Sequence, residues 1–190
     1  IIKFKSVILK NLPFNAVLNF WFIEISPKQW WKKDKVFDQL LINRFLNYHI
    51  LAVENKLINW RSSSKGRLAE IILIDQFSRN IYRNKPEAFK YDYLALELAR
   101  DLLFLGLHEK LNKFEKVFAF MPFMHSENIN DQIISLNLFG ELNLIENFRS
   151  ALKHFIIIRK FNRFPHRNKI LNRTSTVEEI NFLKSPGNSF

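Results

Sequence analysis

Five polar side chains that can hydrogen-bond a ligand follow an apolar run within residues 68–83. They are Asp75, Gln76, Arg79, Asn80 and Arg83. An arginine supplies paired donors for a carboxylate or phosphate, and an asparagine amide both donates and accepts. We therefore predict that Arg79, Asn80 and Arg83 bind an anionic ligand. Asp75 lies four residues before Arg79 and is predicted to orient it, although a purely structural ion pair is the competing interpretation.

A second group of this kind occupies residues 163–168, which read Arg-Phe-Pro-His-Arg-Asn. Like residues 77–80, it has Arg-Asn shortly after an aromatic residue. The predicted ligand-binding residues of this group are Arg163, Arg167 and Asn168. His166 is a candidate catalytic acid or base, because an unperturbed imidazole titrates near neutrality. The alternative is that this group has a structural role, in which it caps a helix end and docks the C-terminal segment.

The third polar group, residues 122–127, contains His125 and Glu127. His125 is the second candidate catalytic residue, and Glu127 is predicted to orient a neighbouring group. Metal ligands on one helical face prefer spacings of three or four residues, so this i,i+2 pair argues against a metal site. No Walker loop, dinucleotide fingerprint or nucleophile elbow occurs in the sequence, and no cofactor is predicted.

Composition narrows the class of protein. The chain has 190 residues, of which 47% are apolar, enough for a real core. The sequence contains no cysteine, which excludes disulfides and thiol chemistry and fits the predicted cytoplasmic location. The longest apolar stretch, Val117–Met124, is far shorter than the ~20 residues of a membrane span. Lys3, Lys5 and Lys10 interrupt the N-terminal apolar residues, so no signal peptide is expected.

The net charge of +11 has two interpretations. An anionic partner, such as nucleic acid, would explain it, and A/T-rich codons, which specify Lys, Asn, Phe and Ile, would also explain it. We favour coding bias for the chain as a whole. Residues 149–173 are an exception, because this segment carries eight Lys or Arg and no acid.

Almost every segment has helical periodicity, and no stretch alternates as a strand does. The sequence therefore predicts an all-α protein of about eight helices in antiparallel hairpins, arranged as a bundle or as a stack of helical hairpins. No linker divides the chain, so residues 1–190 are predicted to form one helical domain. One helix is predicted over residues 65–77, and another is predicted to stop before Pro122. The predicted N-caps are Ser26, Asp34, Asp92, Asn112, Ser126 and Thr176.

The sequence resembles a bacterial family known as domain of unknown function 924. In chain order the matching stretches are Phe20-Trp21-Phe22, Gly66-Arg67-Leu68-Ala69, Asp75-Gln76-Phe77, Arg79-Asn80-Ile81-Tyr82-Arg83, Pro122–Glu127, Arg163–Asn168 and Pro186-Gly187. They span essentially the whole chain. The resemblance implies a tetratricopeptide-like α-α superhelix, and it implies no established activity.

Three departures from the family pattern have structural meaning. The family has Gly where this chain has Asn84 and Asn162, and Pro where it has Ser78. Asparagine is the non-glycine residue that best tolerates positive φ, so both asparagines are predicted to form left-handed turns. The family tends to show His-Arg-Asp where this chain reads His-Phe-Ile at residues 154–156. This chain therefore lacks that aspartate and any function that it has in the family.

Three functions follow. The first is binding of an anionic ligand, such as a phosphorylated metabolite, a peptide terminus or an acidic protein segment, and it requires residues 79–83 and 163–168 to converge. The second is a hydrolase or transferase that uses His125 or His166 as acid or base. The third is nucleic-acid binding through residues 149–173. The sequence leaves the ligand, the reaction and the oligomeric state open.

Overall fold

The computed structural model describes residues 13–185, in which helices dominate and no strand occurs, so the predicted all-α class is confirmed. The lysine-interrupted N-terminal segment and Pro186-Gly187 lie outside the described residues. The eight helices within this range are α1 (Asn15–Asn19, continued by a π-helical turn, Phe20–Glu24), α2 (Lys35–Val53), α3 (Ser64–Ile71, continued by a π-helical turn, Ile72–Phe77, and by Ser78–Ile81), α4 (Asp92–Phe104), α5 (Lys113–His125), α6 (Ile129–Glu141), α7 (Ile145–Phe161) and α8 (Val177–Lys184). None of them combines the length and apolarity needed to cross a bilayer.

Helix α3 is the central element of the fold. It contacts α1, α2, α4 and α5, while helices that follow one another from α4 to α7 pack as neighbours. The aromatic core lies beside α3, where Phe77 has its ring centroid 5.1 Å from Phe45 and 5.3 Å from Trp21. These rings are almost completely buried. Their burial and edge contacts fix where α1 and α2 lie against α3.

Most of the predicted helix starts are confirmed by side-chain hydrogen bonds. The confirmed caps are Ser26, Asp34, Asn112 and Thr176. At α5, the Asn112 side chain accepts from the backbone N–H of Glu115, and the Glu115 carboxylate accepts in return from the N–H of Asn112. Each such cap satisfies N–H groups that have no partner inside the helix and contributes roughly 1 kcal/mol.

Two predicted caps are wrong. Asp92 is the first residue of α4, and its side chain makes no capping hydrogen bond, because two arginines engage it instead. Helix α6 is capped by Asn128, whose side chain accepts from the N–H of Asn130 at 2.8 Å. The Ser126 hydroxyl accepts from the N–H of Asn128 and donates to Asp131, so it secures the turn before the helix.

Pro122 lies inside α5, which was predicted to stop before it. Proline cannot donate the next backbone hydrogen bond, and this usually ends a helix. Here tertiary contacts hold the last turn in place. Phe123 and Met124 are buried, and the Gln132 amide of α6 donates to the carbonyl of Met124 at 2.7 Å. Helix α5 therefore continues to His125, which places that imidazole at the end of a rigid element.

Helix α3 also extends past its predicted end at Phe77 to Ile81, so Asp75, Gln76, Arg79 and Asn80 belong to the helix itself, and Arg83 follows it. The buried turn Ile72–Phe77 has π-helical geometry, in which hydrogen bonds span five residues and one extra residue enters the turn. Asp75 faces α5 through His125, whereas Arg83 faces α2 through Asp38. Turns of this kind are frequent at functional sites.

Both asparagines predicted to form left-handed turns do so. Asn84 has φ 63° and Asn162 has φ 56°, which confirms the prediction made from the family's glycines. The remaining asparagines with positive φ in residues 13–185 are Asn55, Asn143 and Asn172. Asparagine thus takes the place of glycine at several helix exits of this chain.

Gly66 in α3 is required by a close approach of the backbone. A Cβ added there would lie 2.0 Å from the carbonyl oxygen of Trp60. We expect Gly66→Ala to lower the free energy of unfolding by about 1–3 kcal/mol, because the backbone at Trp60 must move away from the new methyl group. The measurement is a urea denaturation curve. Gly140→Ala is the matched control, because its nearest neighbour would be Phe148 at 3.8 Å, and equal losses in the two variants would contradict the prediction.

Candidate functional site

The carboxylate of Asp75 is completely buried, accepts hydrogen bonds from two side chains and forms an ion pair with a third. His125 Nδ1 lies 2.8 Å from Oδ1, Arg79 Nη1 lies 3.2 Å from the same oxygen, and the Gln76 amide donates to Oδ2. Burial alone would raise the pKa of Asp75, but the positive charges around it, led by Arg79, hold that pKa well below its usual range. The predicted ion pair with Arg79 is therefore present, and Asp75 is ionised.

His125 connects this buried carboxylate to a cavity. Burial and the charge of Arg79 lower the pKa of His125, although Asp75 acts in the opposite direction. A neutral imidazole then donates its Nδ1 proton to Asp75 and keeps a lone pair on Nε2. Within residues 13–185, Asp75 is the hydrogen-bond partner found for the ring, and His125 lines the cavity. Its Nε2 can therefore accept a proton or a hydrogen bond from a bound molecule.

Asp92 joins two arginines that are far apart in the sequence. Arg79 grips it with both terminal nitrogens, Nη1 3.0 Å from Oδ1 and Nη2 3.1 Å from Oδ2. Arg167 places Nη1 3.3 Å from Oδ2 and donates from Nη2 to the backbone carbonyl of His125 at 3.0 Å. Helices α3, α4 and α5 and the segment after α7 therefore meet around one carboxylate. The two predicted groups, residues 79–83 and 163–168, converge through one arginine each.

The guanidinium of Arg167 is held between two aromatic rings. Its Cζ lies 4.6 Å from the ring centroid of Phe89 and equally far from that of Phe164, a cation–π arrangement on both faces. Among the described residues, none accepts a hydrogen bond from its buried Nε. Burial lowers the pKa of Arg167 to about 10, so the side chain remains charged at neutral pH. This charge is only partly compensated by its neighbours.

The cavity itself has a volume of about 540 Å³ and opens to solvent. One wall comes from residues 86–96, another from the end of α5, and Arg167 and Leu171 close it. The lining residues are Pro86, Glu87, Phe89, Lys90, Asp92, Tyr93, Leu96, Pro122, His125, Ser126, Glu127, Arg167 and Leu171. A volume of this size suits a small molecule.

Two of the predicted ligand-binding residues lie elsewhere. Arg83 forms a two-pronged ion pair with Asp38 of α2, with Nε–Oδ2 at 2.5 Å and Nη2–Oδ1 at 2.6 Å. The Asn80 amide donates to the same carboxylate at 2.9 Å. Neither residue lines the cavity. These contacts attach the end of α3 to α2, so the role of both residues is structural.

Three more of the predicted site residues are likewise engaged in packing. Arg163 binds both carboxylate oxygens of Glu179 in α8, at 2.6 and 2.8 Å, and Asn168 donates to Glu179 at 3.3 Å. Glu127 does line the cavity, but Arg173 holds both of its oxygens, at 2.7 and 3.0 Å. These contacts dock the segment after α7, as the structural alternative anticipated. Within residues 13–185, no hydrogen bond or ion pair joins Glu127 to His125.

His166 differs from His125 in its surroundings. It is partly buried beside the ring of Phe164 and does not line the cavity. Burial and the charge of Arg167 lower its pKa to about 3, so it is a weak base at neutral pH. His154 packs 6.2 Å from His125, measured between ring centroids. No cluster of three or more potential metal ligands was found in residues 13–185.

The basic segment of residues 149–173 is largely neutralised in three dimensions. Acids from other parts of the chain reach most of its cations. The pairs are Arg149–Glu146, Lys160–Glu178, Arg163–Glu179, Arg167–Asp92 and Arg173–Glu127. The linear run of charge therefore does not form an uninterrupted basic face, which weakens the nucleic-acid hypothesis.

Sequence reasoning missed two residues of this site. Asp92 was assigned to capping, although it joins Arg79 and Arg167, and Phe89 was not singled out, although it lines the cavity and stacks on Arg167. The balance of charges could have indicated Asp92. Arg79 and Arg167 lie in separate polar groups, the second of which contains no carboxylate, and buried charges need partners.

Comparisons with known proteins agree with this architecture. A solved structure, that of the protein of unknown function ATU0120 from Agrobacterium tumefaciens, is similar with a TM-score of 0.86 and 32% sequence identity, over 90% of this chain and 96% of that chain. A search of curated proteins gives no significant match. The profile of the bacterial proteins of unknown function DUF924 matches residues 17–187. The match covers most of the sequence, and the chain therefore belongs to this bacterial family.

Proposed function

We propose that the cavity binds a small molecule with an anionic group and that His125 acts on that molecule as a general base. One observation carries the proposal. The imidazole is anchored through Nδ1 to the buried Asp75 carboxylate, and His125 is one of the residues that line the cavity. A base held by a carboxylate has the correct tautomer before the substrate arrives, which is the logic of known carboxylate–histidine pairs.

The anionic group is supported by the charges at the closed end of the cavity. Arg167 is buried, keeps an unbonded Nε among the described residues, and has a pKa lowered to about 10 by that burial. The charge of Arg79 also lowers the pKa of His125. The lowered pKa of Arg167 comes first from burial of its charge, and Arg79 adds a second positive charge nearby. A carboxylate or phosphate beside Arg167 would offset the cost of burying that charge and make charge-assisted hydrogen bonds.

The reaction class that this geometry supports is hydrolysis or group transfer. His125 Nε2 would remove a proton from a water molecule or a substrate hydroxyl as that oxygen attacks the electrophilic centre. Asp75 would stabilise the imidazolium that forms, and the same proton would then pass to the leaving group. We favour a small molecule over an acidic protein segment because the cavity is of small-molecule size.

Two broader features belong to the same proposal. The consecutive packing of α4 to α7 supports a tetratricopeptide-like stack of helical hairpins. The absence of cysteine supports a cytoplasmic location, because thiols there are kept reduced and do not form stabilising disulfides.

The test of the general base uses chromogenic 4-nitrophenyl esters that carry a carboxylate or a phosphate. We expect the protein to release 4-nitrophenolate from at least one of them, and His125→Gln to slow kcat roughly 100-fold or more with a smaller change in KM. His108→Gln is the matched control, because His108 lies in the turn Leu107–Lys110, outside the cavity lining. Equal rates in the two variants, or no turnover of either ester, would contradict the assignment.

A further inference from the structure

We propose that the ligand is amphipathic, with its anionic group at Arg167 and an alkyl or aryl group along the apolar wall formed by Phe89, Tyr93 and Leu96. This inference names a ligand class for the site proposed above and rests on its anionic subsite. The class is that of carboxylic or phosphoric acids bearing a hydrocarbon chain or ring. Nothing in this assignment requires His125 to be catalytic, so binding alone can test it.

The apolar wall follows from the spacing of residues 86–96. Pro86, Phe89, Tyr93 and Leu96 recur every three or four residues through the turn Pro86–Ala88 and the start of α4, so they share one face. All four line the cavity. An apolar face on a helix normally packs against another element, whereas this one borders open space. Such a surface gains free energy when a hydrocarbon group covers it.

Two apolar residues from other elements also line the cavity. Pro122 comes from α5, and Leu171 comes from the segment after α7. Pro122 exposes no N–H to the cavity, because proline has none. A hydrocarbon group along the wall would therefore find further carbon surface in the lining. This arrangement resembles small-molecule sites, which are mainly apolar with a few placed polar groups.

Arg167 is the most buried charged residue of the lining and is only 6% exposed, whereas Tyr93, on the apolar wall, is 65% exposed. The charged residues Glu87 and Lys90 also line the cavity and are exposed to solvent. Phe89 belongs to both parts, because its ring stacks on the Arg167 guanidinium and also lines the cavity. A ligand is thereby oriented with its charge inward and its hydrocarbon group toward solvent.

The orientation predicts how affinity depends on hydrocarbon length. Burial of one methylene group tightens binding by up to about fourfold, until the chain emerges from the cavity. A short acid would use the charge subsite and little of the wall. Longer acids would bind progressively more tightly, whereas an alcohol of equal length would lose the charge-assisted hydrogen bonds to Arg167.

Isothermal titration calorimetry with butanoate, hexanoate, octanoate and 1-hexanol tests the assignment. We expect Kd to fall about tenfold from butanoate to hexanoate and further to octanoate, with 1-hexanol weaker than hexanoate. Tyr93→Ser should flatten this dependence and leave butanoate binding almost unchanged. Phe104→Ser is the matched control, because Phe104 is 89% exposed at the end of α4 and does not line the cavity.

The possible results separate this inference from the function on which it rests. Equal affinity for the three acids, or an unchanged length dependence in Tyr93→Ser, overturns the apolar subsite and leaves the anionic subsite standing. If 1-hexanol binds as tightly as hexanoate, the anionic subsite is wrong, and the amphipathic assignment falls with it. Absence of binding by all three acids contradicts both. Loss of length dependence in Phe104→Ser also overturns the apolar subsite, because that residue lies outside the cavity.

Discussion

Asp75→Asn is expected to lower the free energy of unfolding by about 3–5 kcal/mol, because it removes one partner from a buried charge network. Arg79 would lose the carboxylate at 3.2 Å and keep Asp92 and the backbone carbonyl of residue 75. The new amide would also place N–H groups against the Gln76 amide or against His125, each of which now donates to Asp75. Chemical denaturation at pH 7 measures the loss.

Asp101→Asn is the control for this substitution. Asp101 also pairs with an arginine, Arg67 at 3.4 Å, but its side chain is 64% exposed, so water screens the charge. The same change of atoms should therefore have a much smaller effect there. A loss for Asp75→Asn no greater than that for Asp101→Asn would show that the buried network does not stabilise the fold as described.

The second large effect is a steep loss of stability in mild acid. Burial lowers the pKa of His49 to about 4, and lowers the pKa values of His154 and His166 to about 3. In the unfolded chain these groups titrate near 6.5. Above that pH they are neutral in both states. As the pH falls from about 6.5 towards 4, only the unfolded chain takes up their protons, so the folded state loses stability.

Each histidine contributes a slope of about 1.4 kcal/mol per pH unit within this window, and three together give about 4 kcal/mol per unit. Urea denaturation at several pH values between 7 and 4.5 measures it. His49→Phe should reduce the slope by about 1.4 kcal/mol per pH unit, the contribution of one histidine, whatever it does to the stability at pH 7. His49 is chosen because it is 1% exposed and its Nδ1 is buried without a partner in the described residues. An unchanged slope in that variant would refute the assignment.

Local hydrogen bonds explain which parts of the fold were predictable. Asn112 and Thr176 cap helices through acids three residues later, a pattern visible in any short window of sequence. Asp92 matched a local rule equally well, but Arg79 and Arg167 offered its carboxylate stronger partners. Pro122 should have ended α5 by its chemistry, and packing against α6 overrode that preference. The local rules therefore failed where distant partners competed.

The site shows the same division. The pair of Asp75 and Arg79 could be predicted, because four residues on a helix fix the distance between two side chains. His125 lies 50 residues from Asp75, and no spacing rule connects them. Arg83 and Arg167 look equivalent in the sequence, yet one binds Asp38 on α2 and the other reaches the cavity. The sequence shows which side chains need partners, and the packing of the helices determines which partners they have.

The position of Arg167 has a consequence for synthesis of the chain. Its partner Asp92 lies 75 residues earlier, and His125 lies 42 residues earlier. At about 5–20 residues per second, a ribosome takes roughly 4–15 s to extend from Asp92 to Arg167. During that interval Asp92 can pair with Arg79 but the cavity lacks its closing cation. The cavity is therefore completed only after the helices that frame it have been made, so those helices can pack against one another before Arg167 joins them.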